Sequence, residues 1–271
     1  MIALFLWMAS VVYEPSATVL LLAFIFAGIF VAMSAQVKAI PYKTIHFSES
    51  AQTQFISRIV LLVLLVGALS FGWIGVKKTL ADYYFKSAVD LTNTAGAPII
   101  DAEGRLERAV TLAPVDLHYT ALSRINFAKA QAAASAATGT PEHNQALFQK
   151  ALSKSVQAAR AAVSANPAGY ENWVYLGLIY SSLVEAPLNI EGAYENAQFA
   201  YNEALKRNPN NPELPLLFAR LEINKGNPDS ARAYIRKSLA LKEDYADAYL
   251  LLAQLEVKEK NIPAAIASTE V

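Results

Sequence analysis

The chain contains no cysteine among its 271 residues. This absence excludes a disulfide framework, a thiol nucleophile, an iron–sulfur cluster and a zinc site with cysteine ligands. Charge is also scarce: Asp, Glu, Lys and Arg make up 17% of the chain, where soluble proteins carry roughly 25%. The formal net charge is zero, and no clustered basic footprint is present, so nucleic acid is excluded as a partner.

The scarcity of charge is uneven along the chain. Residues 1–78 carry five Lys or Arg and two Asp or Glu, whereas residues 79–271 carry 18 basic and 21 acidic residues. Lipid excludes charge, so this asymmetry predicts a membrane region over residues 1–78. Residues 79–271 are predicted to form a domain outside the lipid.

Two long apolar runs occupy the N-terminal region. Residues 17–35 and 59–76 contain no charge, and at about 1.5 Å of rise per residue each run crosses a hydrocarbon core of roughly 30 Å. Arg58 and Lys77 bracket the second run, and Trp73 suits the interface. We interpret both runs as spanning helices. The apolar residues 1–12 are too few to span, so we interpret them as a partial helix of a longer protein.

Basic residues around the second run give an orientation. Lys38, Lys43 and Arg58 precede it, and Lys77 and Lys78 follow it. The positive-inside rule therefore favours, by one charge, a cytoplasmic loop over residues 36–58. This predicts a multi-pass protein of the cell (inner) membrane whose C-terminal domain is extracytoplasmic.

The arrangement of residues 1–78 resembles a known one. The stretch VVYEPSATVLLLAFIFAGIFVAMS at residues 11–34 is followed by a polar loop, one more span and a helical domain. This layout is similar to the C-terminal end of bacterial O-antigen ligase/polymerase-like membrane proteins that carry repeats. The resemblance implies an alternative function, in which this chain belongs to an enzyme of lipid-linked glycans whose catalytic part lies upstream. His46 in the loop is interpreted as a polar loop residue.

The remainder of the chain is repetitive. Trp173, Leu176, Gly177 and Tyr180 form the pattern W-x2-L-G-x2-Y, and the stretch from Pro212 to Tyr245 is 34 residues long. Small residues recur where paired helices cross, and these are Gly177, Ala197, Ala204, Ala219, Ala231, Ala253 and Ala265. These features resemble the tetratricopeptide repeat family. The resemblance implies an all-α fold, in which spanning helices precede an α-solenoid of antiparallel helix hairpins.

Five repeat units are predicted, and two of them carry insertions. The units are residues 79–114, 115–167, 170–211, 212–245 and 246–271, of which the last is incomplete. The second unit holds about nineteen extra residues around 132–141, and its alanine-rich sequence predicts longer helices with a turn at Gly139–Pro141. The third unit has an insertion of about eight residues over 184–192, which contains Pro187.

The family resemblance also implies a binding surface. The first helices of successive tetratricopeptide hairpins line a concave groove, which binds a peptide or a protein. The predicted groove residues are Glu171, Val174, Tyr175, Leu178, Glu213, Leu216, Arg220, Ile223, Asp247, Leu250, Gln254 and Val257. Leu178, Arg220 and Gln254 stand where chaperone-binding repeats carry their Lys/Asn clamp, so capture of chaperone tails is disfavoured.

Catalytic and cofactor motifs are absent from the sequence. It contains no G-x-G-x-x-G, G-x4-G-K-[ST], H-E-x-x-H or G-x-S-x-G pattern. His118 and His143 are isolated and are predicted to be exposed polar residues, and Glu191, Glu195 and Glu203 are predicted to be solvated. The sequence therefore predicts no metal, no cofactor and no enzymatic activity. Its predicted partners are a protein or peptide and the lipid bilayer.

Overall fold

The computed structural model describes residues 25–30, 33, 51–93, 99–136, 138–184 and 188–267. The regular secondary structure of these residues is helical throughout, which confirms the all-α prediction. Of the predicted span 17–35, the described residues 25–30 and 33 are helical. The predicted partial helix 1–12, His46 and Pro187 lie outside the described residues.

From residue 51 onward, the described chain forms helices α1 to α10. Their bounds are α1 Ala51–Asn93, α2 Ile99–Leu112, α3 Asp116–Ala134, α4 Pro141–Ala165, α5 Tyr170–Ser181, α6 Ala193–Arg207, α7 Glu213–Lys225, α8 Pro228–Leu241, α9 Ala246–Lys258 and α10 Ile262–Ala267. The chain divides into two compact units, Met1–Thr79 and Leu80–Val271.

Within Met1–Thr79, the described part of α1 is apolar and exposed. The side chains of residues 59–76 are not buried by other described residues, and they include Leu61, Leu64 and Phe71, each more than 60% exposed. The predicted span 59–76 lies wholly inside α1. It is the one stretch among the described residues that is long and apolar enough to cross a membrane.

Within Leu80–Val271, consecutive helices pair as hairpins. The pairs α3–α4, α5–α6, α7–α8 and α9–α10 pack against each other. Ala88 of α1 packs with Ala102 and Leu106 of α2 and with Ile125 of α3. The helix pairs therefore lie within the predicted repeat units.

Hairpin α3–α4, which forms the second predicted unit, is the long one, as its insertion predicts. Helix α3 has 19 residues and α4 has 25. Gly139 has a φ of +94°, a conformation that favours glycine. Helix α4 then begins at Pro141, and the side chain of Thr140 accepts a hydrogen bond from the backbone N–H of His143 at 3.3 Å.

The last two hairpins repeat each other at a spacing of 34 residues. Glu222 accepts a hydrogen bond from the side-chain amide of Asn227 at 2.9 Å, and Glu256 accepts the same bond from Asn261 at 2.9 Å. The turn residue before each asparagine has positive φ, at +86° for Gly226 and +62° for Lys260. The repeat thus fixes the turn as well as the helices.

The largest core cluster joins α4, α5, α6 and α7. It includes Leu176, Ile179, Tyr201, Leu214 and Leu217, all at most 5% exposed. Helix α5 approaches α6 closely because Gly177 has no side chain. A Cβ atom at Gly177 would overlap the ring of Tyr201, which is fully buried.

Candidate partner-binding groove

The first helices of four successive hairpins lie side by side. Helix α3 contacts α5, α5 contacts α7, and α7 contacts α9. The predicted groove residues fall on α5, α7 and α9, in three sets of four. The sets on α7 and α9 have the same internal spacing and are offset by 34 residues, so equivalent side chains stand on neighbouring helices.

Most of the predicted groove residues reach solvent. Glu171, Leu178, Glu213, Arg220, Asp247, Leu250, Gln254 and Val257 are exposed, and Val174, Tyr175 and Ile223 are half-buried. Among the apolar members, Leu178 is 39% exposed, Leu250 55% and Val257 54%. A partner that covered these side chains would remove apolar surface from water, which favours binding.

The prediction was wrong for Leu216, which is 2% exposed. Its side chain packs with Ala219, Ala231, Ile235 and Ala248 instead of lining the surface. Helix α7 contacts its hairpin partner α8 and also the neighbouring first helices α5 and α9. Helix α7 therefore buries a wider face than the repeat spacing predicts, and this face includes Leu216.

Tyr175 is anchored by a residue that the sequence analysis missed. The guanidinium carbon of Arg124 on α3 lies 5.3 Å from the centre of the Tyr175 ring, within cation–π range. Burial raises the pKa of Tyr175, although the hydrogen bond with Ser123 and the charge of Arg124 oppose this rise. Arg124 thus extends the predicted surface onto α3. The hairpin periodicity, which places α3 next to α5, could have indicated it.

Charged groove residues of α7 and α9 influence the pKa of Tyr245. Burial raises the pKa of Tyr245, the charges of Asp247 and Glu213 add to the rise, and the charge of Arg220 opposes it. Glu213, Arg220 and Asp247 therefore act on one phenol from two helices. The three charged residues are among the predicted groove residues, whereas Tyr245, which precedes α9, is not.

Partly buried hydrogen bonds connect the start of α3 with α5. Asp116 at the start of α3 accepts hydrogen bonds from Asn166 at 2.8 Å and from Asn172 of α5 at 3.1 Å. These two bonds lower the pKa of Asp116. Thr120 also donates to the side-chain oxygen of Asn172 at 3.3 Å. The network orients α5, and with it Tyr175 and Leu178.

The sequence prediction for His118 was wrong, because this histidine is 2% exposed. Its Nδ1 lies 2.9 Å from the carbonyl oxygen of Ala113, and its ring lies 5.1 Å from the ring of Phe85. The ring fills the space between α1 and α3, which single-sequence spacing does not show. His143 is exposed, as predicted. Within the described ranges, no group of three or more His, Asp or Glu residues could hold a metal ion.

The predicted solvation of three glutamates holds in part. Glu191 and Glu195 are exposed. Glu203 is half-buried, and its carboxylate pairs with Lys206 at 2.5 Å and with Arg207 at 2.8 Å. Glu203 therefore belongs to a local ion-pair network of α6.

Comparison with known families gives a match inside this region. Residues 188–240 match the family model described as a tetratricopeptide repeat. No curated protein matches the chain. The resemblance of residues 1–78 to glycan enzymes stays a prediction.

Similar solved structures are distant in sequence. A thermophilic TPR protein of Thermus thermophilus is 19% identical, with 69% of this chain and 87% of that chain covered and a TM-score of 0.48. The MamA protein is 20% identical, with 62% and 75% covered and a TM-score of 0.44. PilF of Pseudomonas aeruginosa is 16% identical, with 71% and 74% covered and a TM-score of 0.48. The family match, together with the 34-residue offset of α7–α8 and α9–α10, identifies residues 188–240 as tetratricopeptide repeat sequence.

Proposed function

We propose that this protein is a membrane-anchored tetratricopeptide scaffold, which binds peptide or protein partners through the first helices of its hairpins. The observation that carries the proposal is the mixed surface of α5, α7 and α9. Exposed Leu250 and Val257 share α9 with Asp247. Exposed Leu178 lies on α5, and α7, which contacts both α5 and α9, carries Glu213 and Arg220. Such a surface combines apolar contact area with charges that select a partner.

The role proposed for this surface is binding, without chemistry of its own. Tetratricopeptide domains bind proteins or peptides in general. The described groove residues lie along three contacting helices and do not converge on one point. An elongated partner, either an extended segment or a helix, would contact several hairpins at once.

Replacing one groove residue tests this proposal. The full chain, tagged and solubilised from its native membranes, is compared with variants Arg220→Glu and Tyr175→Ala by pull-down and mass spectrometry. We expect each variant to lower the recovery of groove partners at least about fivefold. Arg236→Glu, an exposed charge reversal on the second helix α8, is the matched control. Equal recovery by the groove variants and by the control, at unchanged helicity, would contradict the groove.

Membrane attachment is proposed from α1. Eighteen consecutive uncharged residues, 59–76, lie between Arg58 and Lys77 and expose their apolar side chains. At about 1.5 Å per residue they extend roughly 27 Å, close to the thickness of a hydrocarbon core. The ammonium of Lys77 lies 5.6 Å from the ring of Trp73, a pair suited to the lipid–water interface.

Cysteine labelling tests the span without interference, because the chain has no native thiol. Single cysteines are placed at Gln54, Ser70 and Lys86, and intact cells are treated with a membrane-impermeant maleimide. A span predicts that the cysteine at position 70 reacts only after denaturation. It also predicts that only one of the two flanking cysteines reacts from outside, and the proposed extracytoplasmic domain makes this the one at position 86. Equal labelling at all three positions would contradict the span.

A further inference from the structure

A cavity lies away from the predicted groove, along helix α4. Its volume is about 780 Å³, and it is lined by residues of α4 and by Tyr180, Leu183, Leu188 and Ile190. None of the twelve predicted groove residues lines it. The cavity exists because both insertions are present: the long hairpin extends α4, and the insertion of the third unit supplies Leu188 and Ile190.

Helix α4 presents two parallel rows of side chains to this cavity. The polar row is Gln145, Gln149, Ser153 and Gln157, all exposed and four residues apart. The second row is Phe148, Leu152, Val156 and Arg160, again four residues apart. The three apolar members of the second row also pack against the main core, so their positions are fixed. The result is an apolar floor with an amide edge.

The spacing of the amide edge matches an extended peptide. Four residues of α-helix advance about 6 Å, and two residues of extended chain advance about 6.6 Å. A glutamine side chain can donate to a carbonyl and accept from an N–H, which are the two groups of a peptide bond. Each polar position along α4 can therefore pair with every second residue of an extended peptide. The alternate side chains of that peptide would then face the apolar floor.

Arg160 closes one end of the cavity with a positive charge. Its Nε and Nη2 donate to the hydroxyl of Tyr180, at 3.2 Å and 2.7 Å. The ion pairs of the described residues do not include Arg160. The guanidinium therefore offers its remaining N–H groups and its charge to a carboxylate.

We propose that this cavity binds an extended peptide with apolar residues at alternate positions and its C-terminal carboxylate at Arg160. From Gln145 to Arg160 the helix advances about 22 Å, which corresponds to about seven extended residues. An acyl chain would fill the apolar floor but would make no hydrogen bond to the amide edge, whose side chains would stay bonded to water. An extended peptide would place apolar side chains on the floor, pair its backbone with the amide edge and pair its C-terminal carboxylate with Arg160. This site is separate from the groove of the proposed function.

The test uses the full chain in lipid nanodiscs and fluorescein-labelled seven-residue peptides. The peptides form a mixed set, with Leu, Val or Phe at positions 2, 4 and 6 and Ser or Thr elsewhere, prepared with a free C-terminal carboxylate or with an amide. Binding is measured by fluorescence anisotropy. We expect Arg160→Gln to raise the Kd of the carboxylate peptides at least about fivefold. We also expect peptides with a C-terminal amide to bind wild type as weakly as peptides with a free carboxylate bind Arg160→Gln.

A second variant separates the peptide from other occupants. Gln149→Leu replaces one amide of the edge with an apolar side chain of similar size. It should therefore weaken peptide binding about threefold or more. A fluorescent fatty acid should bind this variant equally well or better. Gln131→Leu and Arg236→Gln, at exposed positions on α3 and α8, are the matched controls and should change nothing.

Several outcomes would overturn the site. They are no peptide binding, equal binding to wild type and Arg160→Gln, and fatty-acid binding in the absence of peptide binding. If the chain self-associates, binds no peptide and loses its self-association in Arg160→Gln, the cavity belongs to a second copy of the chain.

Two further variants separate this cavity from other groups. Glu185→Gln is measured as well, because the carboxylate of Glu185 lies outside the described residues. Peptide binding must survive this substitution. Arg220→Glu should leave peptide binding at this cavity unchanged, so failure of the groove and failure of this site are distinguishable.

Discussion

Helices α4 and α7, from the long hairpin and from a regular one, bury different side chains. In α7, the buried residues are mostly large and apolar, and they include Leu214, Leu217, Phe218 and Leu221. Helix α4 instead buries small residues, Ala151, Ser155, Ala158, Ala159 and Ala162, together with Val163. Helix α7 therefore packs through large apolar side chains, whereas α4 packs by close approach along a greater length.

The close approach in the long hairpin is visible at two serines. Ser123 of α3 donates to the carbonyl oxygen of Ser155 at 2.8 Å, and Ser155 of α4 donates to that of Ser123 at 2.9 Å. Both serines are fully buried. Small residues form the most buried face of α4, and exposed polar side chains such as Gln145, Gln149 and Gln157 stand on its outer face. The insertion therefore creates a surface that the regular hairpins lack.

The largest expected effect removes volume from the regular hairpin. The ring of Phe218 lies 5.5 Å from the ring of Tyr201 and 5.0 Å from that of Tyr234. Phe218→Ala should lower the free energy of unfolding by about 3–5 kcal/mol, because it leaves a cavity in the core. Urea unfolding followed by circular dichroism measures this change. Phe199→Ala, at a side chain that is 59% exposed, is the control and should cost less than about 1 kcal/mol. Equal costs would contradict the core described for α7.

A smaller effect is expected where charge supports the long hairpin. Glu103 of α2 is buried and pairs with Lys129 of α3 and with Lys154 of α4, the latter at 2.7 Å. Burial alone would raise the pKa of Glu103, but the hydrogen bonds from the two lysines outweigh it and lower the pKa. Glu103→Gln should cost about 1–2 kcal/mol, because both lysines are partly exposed and screened.

The pH dependence of this effect has a definite sign. The carboxyl of Glu103 titrates near 4.5 in the unfolded chain and below that value in the folded chain. Its contribution is therefore complete above pH 4.5 and is lost as the pH falls toward the folded pKa. Stability of Glu103→Gln should consequently fall less between about pH 5 and 3 than that of wild type. Glu243→Gln, at an exposed carboxylate, should follow wild type, and a parallel loss in all three proteins would count against the network.

The smallest effects should have opposite signs at two equivalent turns. Gly226→Ala places a side chain at a φ of +86° and should destabilise by about 1 kcal/mol. Lys260→Gly relieves a φ of +62° and should stabilise by about 0.5 kcal/mol. Paired unfolding midpoints of the two variants check this prediction. The same sign at both positions would show that the turns are not equivalent.

The sequence predicted most where the 34-residue spacing is intact. Tetratricopeptide spacing placed Ala219, Ala231 and Ala253 at helix crossings, and all three are buried. It did not predict the burial of Leu216, because that burial depends on helices flanking α7 on both sides. It also did not predict the contact of Arg124 with Tyr175, which crosses from one hairpin to the next.

The insertions were predicted only in outline. The alanine-rich stretch indicated longer helices around Gly139, and the structure has them. The cavity along α4 depends on two insertions that are more than forty residues apart in sequence. Periodicity within either insertion alone does not show that they face each other. Tertiary packing, not local pattern, brings the rows of α4 opposite Leu183 and Ile190.

Site-specific photo-crosslinking tests the central claim, that partners bind the first helices of the hairpins. A photoreactive phenylalanine analogue is placed at Leu178 or Leu250 on first helices, and at Phe199 or Leu241, exposed on second helices. The full chain is irradiated in its native membranes, and adducts are identified by mass spectrometry. We predict that the two first-helix positions give the same discrete protein adducts, and that the second-helix positions do not. Adducts at Phe199 and Leu241 without any at Leu178 and Leu250 would contradict the account.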